Sequence, residues 1–201
     1  MRKTFLHVGC GQKTKAQTTG HLAGGDWSEI RFDIDPNAKP DLIGTMTDMS
    51  AVEADSFDAL YSSHNIEHLY PHEVPVALSE FFRVLNGGGY VLITCPDLQS
   101  VCELVVQDKL TEPAYQSPAG PITPLDILYG HRDSMSAGNL YMAHKCGFTL
   151  KVLIGTFKAA GFKSVIGFKR AGPYFDLFCL ASKAELGEDE LKSLLKLHYT
   201  V

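Results

Sequence analysis

The chain has 201 residues, 45% apolar and 20% charged, with 18 basic and 23 acidic side chains giving a formal charge of −5. That length can bury about 70% of its unfolded surface without staples, and the composition excludes a disordered or collagen-like chain. No basic run marks a nucleic-acid binder, and no apolar stretch nears the roughly 18 residues of a membrane span.

The first element, TFLHV (4–8), reads as a buried strand ending at Gly9-Cys10-Gly11. Its apolar stretch is interrupted by His7 and Gly9, which makes it too short for a signal peptide. Residues 12–27 lack a helical stripe and read as a mobile loop. EIRFDI (29–34) is a second strand closed by the turn DPN, with DLIGT (41–45) a third and FDALYSS (57–63) a fourth. Val74, Ala77, Leu78, Phe81, Phe82 and Leu85 recur at helical spacing. Pro71 and Pro75 are tolerated only in the first turn of that helix, and Asn86-Gly87 offers a left-handed stop. GYVLITC (89–95), rich in β-branched and aromatic residues, is the clearest strand.

Between 108 and 147 the pattern breaks into an irregular, proline-rich insert, which reads as a lid or binding loop. A helix follows over about 150–160, capped by Thr149 and stopped by Gly161, with Phe162 able to fold back on Phe157. SVIGFK (164–169) and YFDLFCLAS (174–182), joined by Arg170–Pro173, read as an antiparallel pair at the sheet edge. A last amphipathic helix carries Leu191, Leu194 and Leu195. This alternation predicts an α/β fold: a Rossmann-like, doubly wound, mostly parallel seven-stranded sheet with an antiparallel edge hairpin. One domain over 1–201 is expected: a cofactor half (1–107), the insert (108–147), and a closing helix, hairpin and helix (148–201). The five cysteines (Cys10, Cys95, Cys102, Cys146 and Cys179) form no CxxC pair, which suits a reducing cytoplasm.

Glycines after a first strand let backbone approach a ligand, and Asp33, 22 residues beyond Gly11, ends the second strand where a carboxylate can accept ribose hydroxyls. Asp35 is the alternative. Lys13 and Thr14 break the dinucleotide pattern Gly-x-Gly-x-x-Gly, which weighs against nicotinamide or flavin.

Taken in order, LHVGCG, FDID, TMTDMS (45–50), FDALYSSHNIEHL, EFFRVLNGGGYVLITCP and HKCGFT followed by LIGTFKAAGF resemble the class I S-adenosylmethionine (SAM) dependent methyltransferases, in particular type-11-like methyltransferase domains. The resemblance implies that Gly9 and Gly11 line the methionine end of SAM, that Asp33 holds the ribose, and that Cys10 and Ile34 also belong to the cofactor-binding set. It places Asp48 at the adenine amino group, Met49 at the adenine with its amide and an apolar wall, and Ser63 and His64 beside the methyl donor. S-adenosylhomocysteine would be the product. His7 stands where the family usually has an acidic residue, and Lys13 where a third glycine often falls.

The acceptor is expected above the fourth and fifth strands, roofed by the insert. Asp97, Tyr129, Arg132 and Tyr141 are substrate candidates, with Arg132 holding an anionic group. His144, His131 and His64 are candidate bases, since histidine titrates near neutral pH. A small-molecule acceptor is favoured over nucleic acid or a membrane. A non-catalytic SAM-binding protein of the same fold is the alternative.

His64-Asn65-Ile66-Glu67-His68 also fits H-x-x-E-H, a zinc pattern in which His64 and His68 would share a helix face with Glu67 as base. It needs a long helix and a third ligand downstream. Because the motif follows a strand directly and prolines interrupt the region, no metal is assigned.

Overall fold

The computed structural model describes residues 2–170 and 174–199. Strands β1 (Lys3–Val8), β2 (Trp27–Asp33), β3 (Leu42–Ile43), β4 (Phe57–Ser63) and β5 (Leu85–Pro96) run parallel. Two short strands of the insert, β6 (Tyr115–Ser117) and β7 (Gly120–Ile122), form a hairpin of their own. At the far edge β8 (Ser164–Lys169) pairs antiparallel with β9 (Asp176–Ser182), which itself runs antiparallel to β5. The seven-stranded order is β3-β2-β1-β4-β5-β9-β8. The expected α/β class and edge hairpin are therefore present; positions 171–173 of the link lie outside the described residues.

The helices are α1 (Gly20–Ala23), α2 (Val74–Val84), α3 (Leu98–Val106), α4 (Pro124–Tyr129), α5 (Arg132–Ser136), α6 (Leu150–Ala159) and α7 (Glu188–His198). Strand alternation divides the apolar side chains between the two sheet faces. Leu6, Val8, Leu60, Val91 and Ile93 pack with Leu78 and Phe81 of α2 and Leu153 and Phe157 of α6. Phe5, Ala59, Tyr90, Leu92 and Leu180 pack with Leu22, Trp27 and Leu191 and Leu195 of α7. Each fully buried Val, Leu, Ile or Phe among them contributes about 1.5–3 kcal/mol.

Two local expectations are corrected. α2 accepts Pro75 in its first turn, but Pro71 lies before the helix, and Leu85 leaves it extended at φ −75° and ψ 136°. No left-handed stop forms at Asn86-Gly87, because Leu85 already pairs with Phe57 and the extra residues form a bulge before Tyr90 rejoins the ladder opposite Ala59. Residues 12–27 are not a loose loop over a ligand. Lys15 Nζ donates to the carbonyls of Gly24 and Trp27 at 3.0 and 2.9 Å, and Leu22 and Trp27 are buried. Gly161 does stop α6 at φ +99°, and Phe162 packs edge-on against Phe157.

The chain leaves β1 towards β2 and β3 on one side and resumes at β4 and β5 on the other. The crevice at the carboxyl ends of β1 and β4 is thus the topological switch point, where open α/β sheets bind ligands.

Candidate functional site

At that switch point Gly9 and Gly11 take φ +65° and +51°. A β-carbon on Gly9 would overlap the Asn65 amide, which donates to Val8 O, Ser62 Oγ and Ser63 O at 3.2, 3.2 and 3.0 Å. Over Gly11, by contrast, a β-carbon would meet nothing within 4 Å. The Gly11 amide donates to Asp33 Oδ2 at 2.7 Å, and Asp35 donates to Asp33 Oδ1 at 2.9 Å. The structure thus brings the glycine turn and the acidic end of β2 together. Ile34 beside them is exposed. Cys10 is buried, and burial pushes its thiol up to about 11, so it presents only backbone.

Two residues outside the sequence reading hold this turn. Arg31 donates to the carbonyls of Gly11, Lys13, Ala38 and Lys39, joining the loops after β1 and β2. Glu29 takes His7 Nδ1–H on one oxygen at 2.6 Å and the Lys15 amide on the other at 2.8 Å. The carboxylate missing at position 7 is in this way supplied from β2.

Met49 departs from its expected role. Its side chain is fully buried in the core and its amide donates to Glu80 Oε2 at 2.9 Å, so neither is free for adenine. Asp48 is exposed; the Ser50 hydroxyl and then the Ser50 amide at 3.1 Å hold its carboxyl below the usual range. It lines a cavity of about 440 Å³ with Thr47, Ser50, Glu80 and Arg83.

Ser63 Oγ meets Thr94 Oγ1 at 2.7 Å across β4 and β5. His64 follows at φ +58°, with Nδ1 3.4 Å from Glu67 Oε1 and Nε2 3.6 Å from Asp176 Oδ2. Burial pulls its pKa down, but the two carboxylates more than offset this and raise it to about 10. Two carboxylates facing the ring favour its protonated form, which weighs against a base role for His64.

The acceptor-side residues are mostly engaged within the protein. Asp97 is buried; it caps α3 through the Gln99 amide at 3.2 Å, accepts Ser100 Oγ and pairs with Lys169 at 3.0 Å. Arg132 Nε pairs with Asp126 Oδ1 at 2.7 Å, which takes the guanidinium away from an anionic acceptor. His131 Nδ1 caps α5 against the Ser134 amide and hydroxyl at 3.3 and 2.8 Å. Tyr129 and Tyr141 are exposed. The insert also has more order than its sequence suggested, with a hairpin, two short helices and a small core of Val101, Ile122 and Ile127.

His144 closes the insert. Its Nδ1–H donates to Ile127 O at 2.8 Å, and its ring lies 5.0 Å from that of His68. Glu67 stands beside both, 1% exposed. Burial pushes Glu67 up, and His64, His68 and His144 more than offset it, leaving it below the usual range. Residues 66–68 form a short 3-10 turn, not the long helix that H-x-x-E-H requires, and His64 and His68 do not share a helix face.

A methyltransferase domain profile matches residues 6–93. No curated protein sequence matches the chain. Among solved structures, it resembles a SAM-dependent methyltransferase from Methanosarcina mazei (TM-score 0.59, 16% identity, 92% of this chain and 93% of that one). It also resembles 1,6-didemethyltoxoflavin-N1-methyltransferase from Burkholderia thailandensis, solved with its substrate and S-adenosylhomocysteine (TM-score 0.57, 13%, 91% and 72%). A third likeness is to a possible exported protein from Bordetella parapertussis (TM-score 0.58, 15%), of which the chain spans 61% while 90% of this chain is covered. The chain has the class I SAM-dependent methyltransferase fold, and its residues 6–93 match a methyltransferase domain profile.

Proposed function

We propose that this protein transfers a methyl group from SAM to a small-molecule acceptor, releasing S-adenosylhomocysteine. The observation that carries this reading is the switch-point turn, where Gly11 opens onto free space while its amide is tied to Asp33. The residues fit the cofactor. Each Asp33 oxygen accepts one backbone amide, leaving about two of its four lone-pair sites for ribose hydroxyls. Exposed Ile34 offers an apolar face beside them, and the open face of Gly11 lets the methionine portion approach the turn closely, the Gly9 and Gly11 amides being held by Phe32 O and Asp33.

When bound, SAM supplies an electrophilic methyl group. The chain's part is alignment: β4 ends at Ser63 beside Thr94 near the end of β5, and the insert is tied to the turn after β4, so an acceptor held there would meet the methyl group in line. Tyr129 and Tyr141, exposed on the insert, are the acceptor contacts that remain. A net charge of −5 supports a small acceptor over a nucleic acid. Among the described residues no helix is long and apolar enough to cross a membrane. Cysteine usage supports a cytoplasmic setting, since all five are free thiols.

Asp97, His131 and Arg132 are held by internal contacts, which favours a second reading, a SAM-binding protein without turnover. Thermal unfolding with SAM, S-adenosylhomocysteine or NAD separates these. S-adenosylhomocysteine at a hundredfold excess over its Kd is expected to add about 2.7 kcal/mol of stability, with no response to NAD. Absence of any shift with either SAM or its product overturns both readings; a shift without turnover on a broad acceptor panel selects the second.

A further inference from the structure

Glu67 is an anomaly that the methyl-transfer reading does not use. The carboxylate is 1% exposed, and neither oxygen has a hydrogen-bond partner among the described residues. Burying a carboxylate without compensating hydrogen bonds is costly, so such a group ordinarily has a partner in the working protein. His64 supplies a charge 3.4 Å away but no hydrogen bond, and its ring is shared with Asp176, so the carboxylate is only partly compensated.

The two other side chains at Glu67 are imidazoles already set for a cation. His68 Nδ1 lies 3.1 Å from Ala143 O and His144 Nδ1 lies 2.8 Å from Ile127 O. A carbonyl only accepts, so in both rings Nδ1 carries the hydrogen and, when neutral, Nε2 keeps its lone pair. Metal-bound histidines are oriented in this manner, with the second ring nitrogen donating to a backbone carbonyl or carboxylate. Ligand atoms of Glu67, His68 and His144 all lie within 4.8 Å of one another. Tetrahedral zinc with ligands at about 2.1 Å holds them about 3.4 Å apart, a contraction within reach of side-chain rotation.

We infer that Glu67, His68 and His144 form a binding site for a divalent transition metal of the zinc class. Two imidazoles and one carboxylate suit zinc or iron(II) over magnesium or calcium, which prefer oxygen donors throughout. Three protein ligands leave at least one coordination position, and half-buried His68 and His144 leave it reachable for water or an acceptor atom. The ion would also fasten the end of the insert to the turn after β4. The backbone prepares that junction, since the Lys145 and Cys146 amides donate to Glu67 O at 2.8 and 3.2 Å. The site differs from the H-x-x-E-H reading: His64 is not a ligand, Glu67 binds instead of acting as base, and the third ligand comes from the insert.

Chelator-stripped full-length protein, titrated with Zn²⁺ by calorimetry and with Co²⁺ by visible absorption, tests this without any assay of activity. One ion per chain is expected, with Co²⁺ bands of a low-symmetry nitrogen–oxygen site. Glu67→Gln, His68→Asn and His144→Asn should each weaken binding by roughly 100-fold or more, whereas His72→Asn, on the exposed surface, should leave it unchanged. Glu67→Gln guards against loss of fold, since it removes a buried charge and keeps the shape; its thermal midpoint without metal should equal or exceed that of the parent. No stoichiometric uptake, or uptake that survives all three substitutions, overturns the site. The S-adenosylhomocysteine shift, measured on the stripped parent, stands or falls separately.

Discussion

Two regions meet at the carboxyl edge of the sheet, and they are built in opposite ways. Around Gly9–Gly11 most polar groups find partners inside the protein: Asp33 takes two amides, Glu29 takes an imidazole and an amide, and Arg31 takes four carbonyls. Around Glu67 the backbone is satisfied, but a buried carboxylate and two imidazole nitrogens converge without partners. The first region is a preformed cradle that keeps its shape without a ligand. The second has one protonated ring, His64, beside its carboxylate but no hydrogen bond to it among the described residues. Self-sufficiency suits a cofactor that comes and goes, whereas an unsatisfied cluster suits a ligand that stays.

The sharpest way to break the cradle is Gly9→Ala. The new β-carbon must force a left-handed backbone and displace Asn65 from three hydrogen bonds, at a combined cost of about 3 kcal/mol. Chemical denaturation should show this loss; an unchanged midpoint would mean that Asn65 does not brace the turn. Asp33→Asn is expected to be smaller. It keeps one acceptor but turns an N–H against a backbone N–H, and it should weaken S-adenosylhomocysteine about 10- to 100-fold in calorimetry. Equal affinity would remove Asp33 from the ribose.

A third test is acid. The loop after β1 continues into Thr19, whose hydroxyl bonds to buried His198, itself 3.0 Å from Tyr90 Oη. Burial, with some help from His21, holds His198 down at about 3. The unfolded chain takes up this proton near pH 6.5 while the folded chain waits until about pH 3. The contribution is therefore complete above pH 6.5 and drains as pH falls through that window, by at most about 1.4 kcal/mol per unit. His198→Phe should flatten the acid limb of stability against pH, and a parallel limb would assign it to other groups. His7, also buried and lowered chiefly by burial, acts in the same direction.

Much of the cradle was legible because its signals are local. SVIGFK became β8 with the expected bounds, Thr149 and Gly161 capped α6 as read, and the glycine turn and Asp33 sit at the ends of adjacent strands. Asp48 and Met49 were harder, since one exposed and one buried neighbour look alike in a short turn. The segment 12–27 was misread because Leu22 and Trp27 are single anchors without a period, tied down by a lysine reaching backbone carbonyls. The insert hides its order in helices of six residues or fewer, too short to show an apolar stripe. The Glu67 cluster was beyond any local pattern. The contact that sets the His68 ring spans 75 residues, and the sequence could offer only a misleading motif that paired His68 with His64.

The Arg31 guanidinium has a dynamic consequence. Because one cation is shared by Gly11 and Lys13 on one loop and Ala38 and Lys39 on the other, neither loop can swing outward without stripping two carbonyls of their donor. If the proposed cofactor enters between them, both walls would have to open together about the arginine. Amide exchange on the two loops should share one opening rate.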